Sequence, residues 1–182
     1  MTILTMIDPA TADPKAKALL SGVQKKFGMA PNVMRVLAVN PTVLGAYLNF
    51  STALSGGLLG KKLHEQIALT VAEANGSNYC LASHTVLGKA AGLAAMDILA
   101  ARVGTSPDER ATAALAFARK LVANQGRVSP DDIAEAQAAA LDDAEIVEII
   151  AAVAINLFTN YLNLAADTDV DFPPVAKLAG AA

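Results

Sequence analysis

Glu65-Gln66-Ile67-Ala68-Leu69-Thr70-Val71-Ala72-Glu73-Ala74-Asn75-Gly76-Ser77-Asn78-Tyr79-Cys80-Leu81-Ala82-Ser83-His84 is the stretch that decides how this chain is read. Small apolar residues fill its first half, Asn75-Gly76 is a helix C-terminal signal, and Ser77 or Asn78 can cap a second helix. The pattern predicts two helices joined by a tight turn. The second carries the only cysteine and one of the two histidines, four residues apart. Residues at i and i+4 share a helix face, so thiol and imidazole fall within reach of each other. That pair is the minimum arrangement for making a thiolate nucleophile. Glu65, on the preceding apolar helix, is placed to orient the imidazole. Cys80 also falls in the first turn of its helix, where free backbone N–H groups and the dipole are expected to lower a thiol pKa.

Working outward, helix punctuation recurs along the chain. Asp13-Pro14 opens a first helix and Gly28 closes it. A short apolar segment runs from Pro31-Asn32 to Val39. Asn40-Pro41 starts a third helix, with Val43, Leu44, Tyr47, Leu48 and Leu54 on one stripe. Gly56, Gly57 and Gly60 make a loop that turns the chain into the helix Lys61–Ala74. The cysteine helix runs to near Ala91, and a short one covers Ala94 to Val103. Ser106-Pro107-Asp108-Glu109 and Ser129-Pro130-Asp131-Asp132 each open a further helix with acidic residues at its positive end. Asp142 begins the last, long helix, which ends near Ala165, and Asp169 to Pro174 is an extended tail. No segment alternates apolar and polar residues as a strand would. The expectation is an all-α fold, a single domain over residues 1–182 with its core motif at 61–93. A weak internal repeat relates Glu65–Ala72 to Glu148–Ala154, suggesting two helical halves. The second copy lacks cysteine and histidine, which assigns the chemistry to the first.

Composition narrows the function classes. Hydrophobic residues make up 54% of the 182, aromatics only 4%, and the net charge is −3. Without a basic cluster, nucleic acid is not expected as a partner. The most apolar stretch, Ile146 to Phe158, is interrupted by Glu148 and Asn156 and is too short to span a bilayer, so no membrane partner is expected either. The N-terminal residues lack the basic and apolar regions of a signal peptide, and one cysteine permits no internal disulfide; both fit a cytoplasmic protein. This much apolar surface with so few charges implies burial between subunits of a homo-oligomer.

Competing readings of the same residues differ in what they require. A lone cysteine is commonly a small buried hydrophobe, and Glu65 could equally be a solvated carboxylate at a helix start. Cys80, His84, His64 and Glu65 include metal-ligating types, but neighbours on a helix diverge by about 100°, so His64 and Glu65 do not converge on one ion. No metal or other cofactor is expected, and His64 reads as a first-turn surface residue. The Gly56-Gly57 loop lacks the lysine of a phosphate cradle.

Glu65, Cys80 and His84 together resemble the alkylhydroperoxidase D-like branch of the carboxymuconolactone decarboxylase superfamily. Its motif is a glutamate, eleven residues, C-x-x-C, three residues and a histidine. The three residues fall in register with the glutamate, the second cysteine and the histidine, while Ser77 stands in place of the first cysteine. Tyr79, before Cys80, is common in peroxidase-related members. Gly28-Met29-Ala30-Pro31-Asn32-Val33-Met34-Arg35 and Asn40-Pro41 also look like the family's N-terminal half. The resemblance implies an all-helical fold, a trimer or hexamer, and thiol-dependent reduction of a hydroperoxide. In that reading Cys80 is the nucleophile, His84 the base and Glu65 the group that orients it, with Ser77 and Tyr79 supporting. Since serine cannot resolve a sulfenic acid, the resemblance further implies an external thiol reductant. Two alternatives are a lactone decarboxylase, using His84 and Glu65 for proton transfer, and a non-catalytic helical oligomer with an inert Cys80.

Overall fold

Local capping chemistry sets the helix starts. In the computed structural model, which describes residues 1–176 and 178, the elements are α1 (Pro14–Phe27), α2 (Asn32–Leu37), α3 (Pro41–Ser55), α4 (Gly60–Ala74), α5 (Asn78–Ala90), α6 (Ala95–Arg102), α7 (Glu109–Ala123), α8 (Pro130–Ala138) and α9 (Asp143–Ala166). Among the described residues there is no strand. Asp13 accepts from the amides of Lys15 and Ala16, and Asn40 from those of Thr42 and Val43. Ser129 with Asp132, and Asp142 with Glu145, form reciprocal capping boxes. Gly28 closes α1 at φ 76, a left-handed conformation that costs glycine little.

Helix α4 is the hub. Leu63 and every residue from Gln66 to Ala72 are buried, so most of its circumference is covered, by α5, α6, α7 and α9. A helix buried all round must be apolar all round, which is what the Ile67–Ala72 run supplies. Its polar residues find partners: Thr70 Oγ1 donates to the Ala101 carbonyl at 2.6 Å, and Glu73 receives Arg102 Nε at 2.6 Å.

Helix α9 has two faces. By length and composition alone it could cross a membrane. Here it packs against α3, α4, α5 and α7. Its buried stripe begins as Ile146, Ile149, Ala152 and Val153 and then turns polar as Asn156, Thr159, Asn160 and Asn163. Its outer face keeps Val147, Ile150, Phe158, Tyr161 and Leu164 exposed.

Two expectations change here. His64 is not a free surface residue: its Nε2 lies 2.8 Å from Glu148 Oε1, and its side chain is only 16% exposed. Glu148 also accepts from the amides of Leu58 (2.7 Å) and Leu59 (3.2 Å), capping α4 from the far end of the chain. Gly57 does more than turn the chain, because any side chain there would collide with the Glu148 carboxylate. Burial pushes the Glu148 carboxyl up, but the Leu58 amide, His64 and the Leu59 amide outweigh it and hold the group below its ordinary value.

A carboxyl held low stabilises the fold above its unfolded pKa of about 4.3, and that contribution is lost as pH falls through the folded value. Glu148→Gln should therefore lower Tm at neutral pH. The gap to wild type should shrink as the pH is taken below about 4. Thermal melts across that range check it.

Candidate active site

The start of α5 and the polar half of α9 converge on Cys80. Ser77 is the N-cap residue of α5 by backbone conformation, yet its side chain makes no capping hydrogen bond. Its Oγ instead lies near the Cys80 sulfur, one turn on, where Asn163, Thr159 and Asn160 also approach from α9. The sulfur's well-formed hydrogen bond is with Asn163, whose Nδ2 donates across 3.3 Å. Cys80 is 2% exposed. The expectation of an acidified thiol is corrected accordingly: burial pushes the Cys80 thiol up, while the nearby polar groups of Ser77, Asn163, Thr159 and Asn160 pull it part of the way back.

The second half of the site is the dyad from α4 and α5. His84 Nδ1 and Glu65 Oε2 are 2.8 Å apart, with side chains 19% and 21% exposed. An Nδ1–H donated to the carboxylate leaves the lone pair on Nε2, the arrangement of an imidazole base fixed by its orienting acid. The expected pairing of Glu65 with His84 is present. The expected hydrogen bond between His84 and Cys80 is not formed, because Cys80 is turned inward onto α9 and bonds to Asn163 there.

Tyr47 belongs to this neighbourhood as well, although the sequence marks it only as one position of the α3 stripe. Burial, and then the proximity of Cys80 and Glu65, push its phenol up to about 12, against a lowering pull from Ser51. Its ring packs 6.3 Å from that of Phe158. Tyr79, by contrast, faces a structural task. Its hydroxyl donates to Asp171 Oδ1 at 2.7 Å and accepts from the Val33 amide at 3.1 Å, and Phe172 packs edge-on against its ring. Asp171 Oδ2 in turn accepts from the Asn32 amide at 2.8 Å, so the tail is strapped across α2 and α5. Of the apolar neighbours along α5, Leu81 is buried, Leu87 half-buried and Val86 exposed. Among the described residues no three His, Cys, Asp or Glu side chains cluster to hold a metal.

Residues 41–123, from the start of α3 to the end of α7, match the sequence profile of the carboxymuconolactone decarboxylase family. The matched span contains Glu65, Cys80 and His84 and excludes α9. No match was found among curated proteins. Among solved structures, the chain is similar to an uncharacterized peroxidase-related protein of Ralstonia eutropha JMP134 with the alkylhydroperoxidase core (TM-score 0.85, 21% identity, covering 93% of this chain and 92% of that one). It is also similar to an uncharacterized peroxidase-related protein of Silicibacter sp. TM1040 (TM-score 0.79, 25% identity, 98% and 94% covered). A third similar structure is the debrominase Bmp8, as a Cys-to-Ala variant with 2,3,4-tribromopyrrole (TM-score 0.80, 23% identity, 94% and 92% covered).

The raised thiol makes a direct prediction. Alkylation of Cys80 by iodoacetamide in the native protein should titrate above the ordinary thiol value of about 8.5, and Asn163→Leu should move the inflection higher still. A plateau of reactivity already reached at neutral pH would contradict the geometry.

Proposed function

We propose that this chain, a member of the carboxymuconolactone decarboxylase superfamily, is a one-cysteine thiol peroxidase acting on organic hydroperoxides with an external thiol as reductant. The observation that carries the reading is the paired environment of Cys80. Its sulfur accepts a hydrogen bond from a buried amide, and a fixed His84–Glu65 dyad stands one helical turn along α5. A thiol pushed up by burial is mostly protonated at neutral pH, so the base matters more here than in a site with a preformed thiolate. With no direct hydrogen bond between the two side chains, His84 Nε2 takes the thiol proton through a bridging water, and the thiolate attacks the distal peroxide oxygen. The O–O bond breaks as the S–O bond forms. The sulfur is oxidised by two electrons and the peroxide reduced to alkoxide, which leaves as the alcohol with the proton from His84. A thiol reductant then displaces water from the sulfenic acid to form a mixed disulfide, and a second thiol restores Cys80.

The burial of Cys80 favours a second reading, an inert thiol in a helical oligomer. The two separate in one assay. Cumene hydroperoxide consumption with a small thiol should be abolished in Cys80→Ser and reduced about a hundredfold in His84→Ala, with dimedone trapping mapped to Cys80. Recovery of unmodified Cys80 after excess peroxide in the absence of any thiol would sink the peroxidase reading. Activity on a lactone acid surviving Cys80→Ser would move it to proton transfer by His84 and Glu65. Because one structural neighbour is a debrominase, a bromopyrrole is assayed in parallel.

The same reading includes a closed homo-oligomer, trimer or hexamer, with the exposed Val147, Ile150, Phe158, Tyr161 and Leu164 face of α9 covered by a second copy. Light scattering at micromolar concentration should return a multiple of the chain mass. A monomer would contradict it.

A further inference from the structure

Burying an asparagine costs free energy unless each polar atom finds a partner, and α9 buries several beside one sulfur. Asn160 is fully buried, Ser77 1% exposed and Asn163 5% exposed. Asn160 Oδ1 is satisfied by Asn75 Nδ2 at 3.2 Å, and Asn163 Nδ2 by the Cys80 sulfur. Their other amide atoms, Asn160 Nδ2 and Asn163 Oδ1, have no partner among the described residues, and neither does Ser77 Oγ. The unmet set is thus one donor, one acceptor and one group able to do either. A resting thiol, a weak donor and weak acceptor, cannot satisfy it.

Resting on the peroxidase reading above, we propose that Ser77, Thr159, Asn160 and Asn163 form a binding pocket for the oxygen of Cys80 sulfenic acid. The S–O–H group brings what the ring lacks. Its oxygen accepts from an amide N–H and its hydroxyl donates to an amide oxygen or to Ser77. The need is also chemical. With one cysteine in the chain, no internal thiol can capture the sulfenic acid, and an unprotected one meets a second peroxide and advances to sulfinic acid. The three α9 residues lie outside the span that matches the family, whereas Cys80 and His84 lie inside it. The last helix thus supplies most of the pocket around a thiol that lies inside the matched span, and the pocket holds the sulfenic acid until the external thiol arrives. Asn163, Asn160 and Thr159 act through that oxidised sulfur as positioning residues.

The test follows oxygen uptake by intact mass after cumene hydroperoxide, first equimolar and then in excess, with dimedone reporting sulfenic acid. Wild type should hold the one-oxygen form, and Asn163→Leu should advance to the two-oxygen form about tenfold faster, the effect of losing one hydrogen bond to the oxidised sulfur. Asn163→Gln, which keeps an amide, should recover part of the difference, as a merely structural role would not require. Equal over-oxidation rates in wild type and Asn163→Leu, with the first oxygen still taken up, would leave the peroxidase intact and overturn the pocket. A wild type that takes up no oxygen at Cys80 overturns both. Circular dichroism checks folding. If Asn163→Leu does not fold, Ser77→Ala decides alone: over-oxidation faster than wild type supports the pocket, and an unchanged rate refutes it.

Discussion

Helix α4 has almost no solvent face along its middle, and that constraint organises everything around it. A helix enclosed on all sides needs neighbours that approach closely, and alanine permits that approach at Ala68 and Ala72 on α4 and at Ala101, Ala114, Ala118 and Ala152 on the helices around it. The preference for small apolar residues over aromatic ones is thus a packing requirement. Once α4 is enclosed, its ends are the places where polar side chains reach it. His64 and Glu65 sit together at its start, and each is taken by a different partner, Glu148 of α9 and His84 of α5. Adjacent residues diverge around a helix, so one turn of α4 serves both a structural cap and a candidate catalytic dyad.

The thiol lies on the other side of that arrangement. Turning Cys80 inward removes it from solvent and raises the cost of ionising it, while the amide and hydroxyl groups of α9 lower that cost again. A sulfur left in purely apolar surroundings would be inert. The polar half of the α9 stripe places the group between these extremes, protected from bulk solvent and yet surrounded by hydrogen-bonding groups. Tyr47, near both Cys80 and Glu65, adds a hydroxyl from α3.

How much of this could be read from residues alone depends on distance along the chain. Helix starts at Pro14, Pro41, Pro130 and Asp143 were legible because a cap is a local device, written in three or four consecutive residues. The Glu65–His84 pair was legible because a tight turn at Asn75-Gly76 forces the two helices side by side. The pairing of His64 with Glu148 was not, since nothing near either residue names the other. Asn156, Thr159, Asn160 and Asn163 were visible as a 3–4 spacing of polar residues in an apolar helix. Only the fold shows that this stripe faces the core, and that Thr159, Asn160 and Asn163 face one sulfur. The burial of Cys80 had the same origin: a first-turn position implies an acidic thiol only while solvent or open dipole surrounds it.

The order in which the segments are synthesised gives the strapped tail and α9 a further significance. Asn160, Asn163 and Asp171 all come late in the chain, long after Cys80 and Tyr79. A nascent polypeptide that has extruded α5 displays the thiol without its amide partners and Tyr79 without the carboxylate that holds it. The surroundings of the thiol are finished only when α9 docks against α4 and α5. Until then the cysteine depends on the reducing state of its surroundings for protection, and a chain stopped before α9 would carry an open thiol to whatever oxidant it met first.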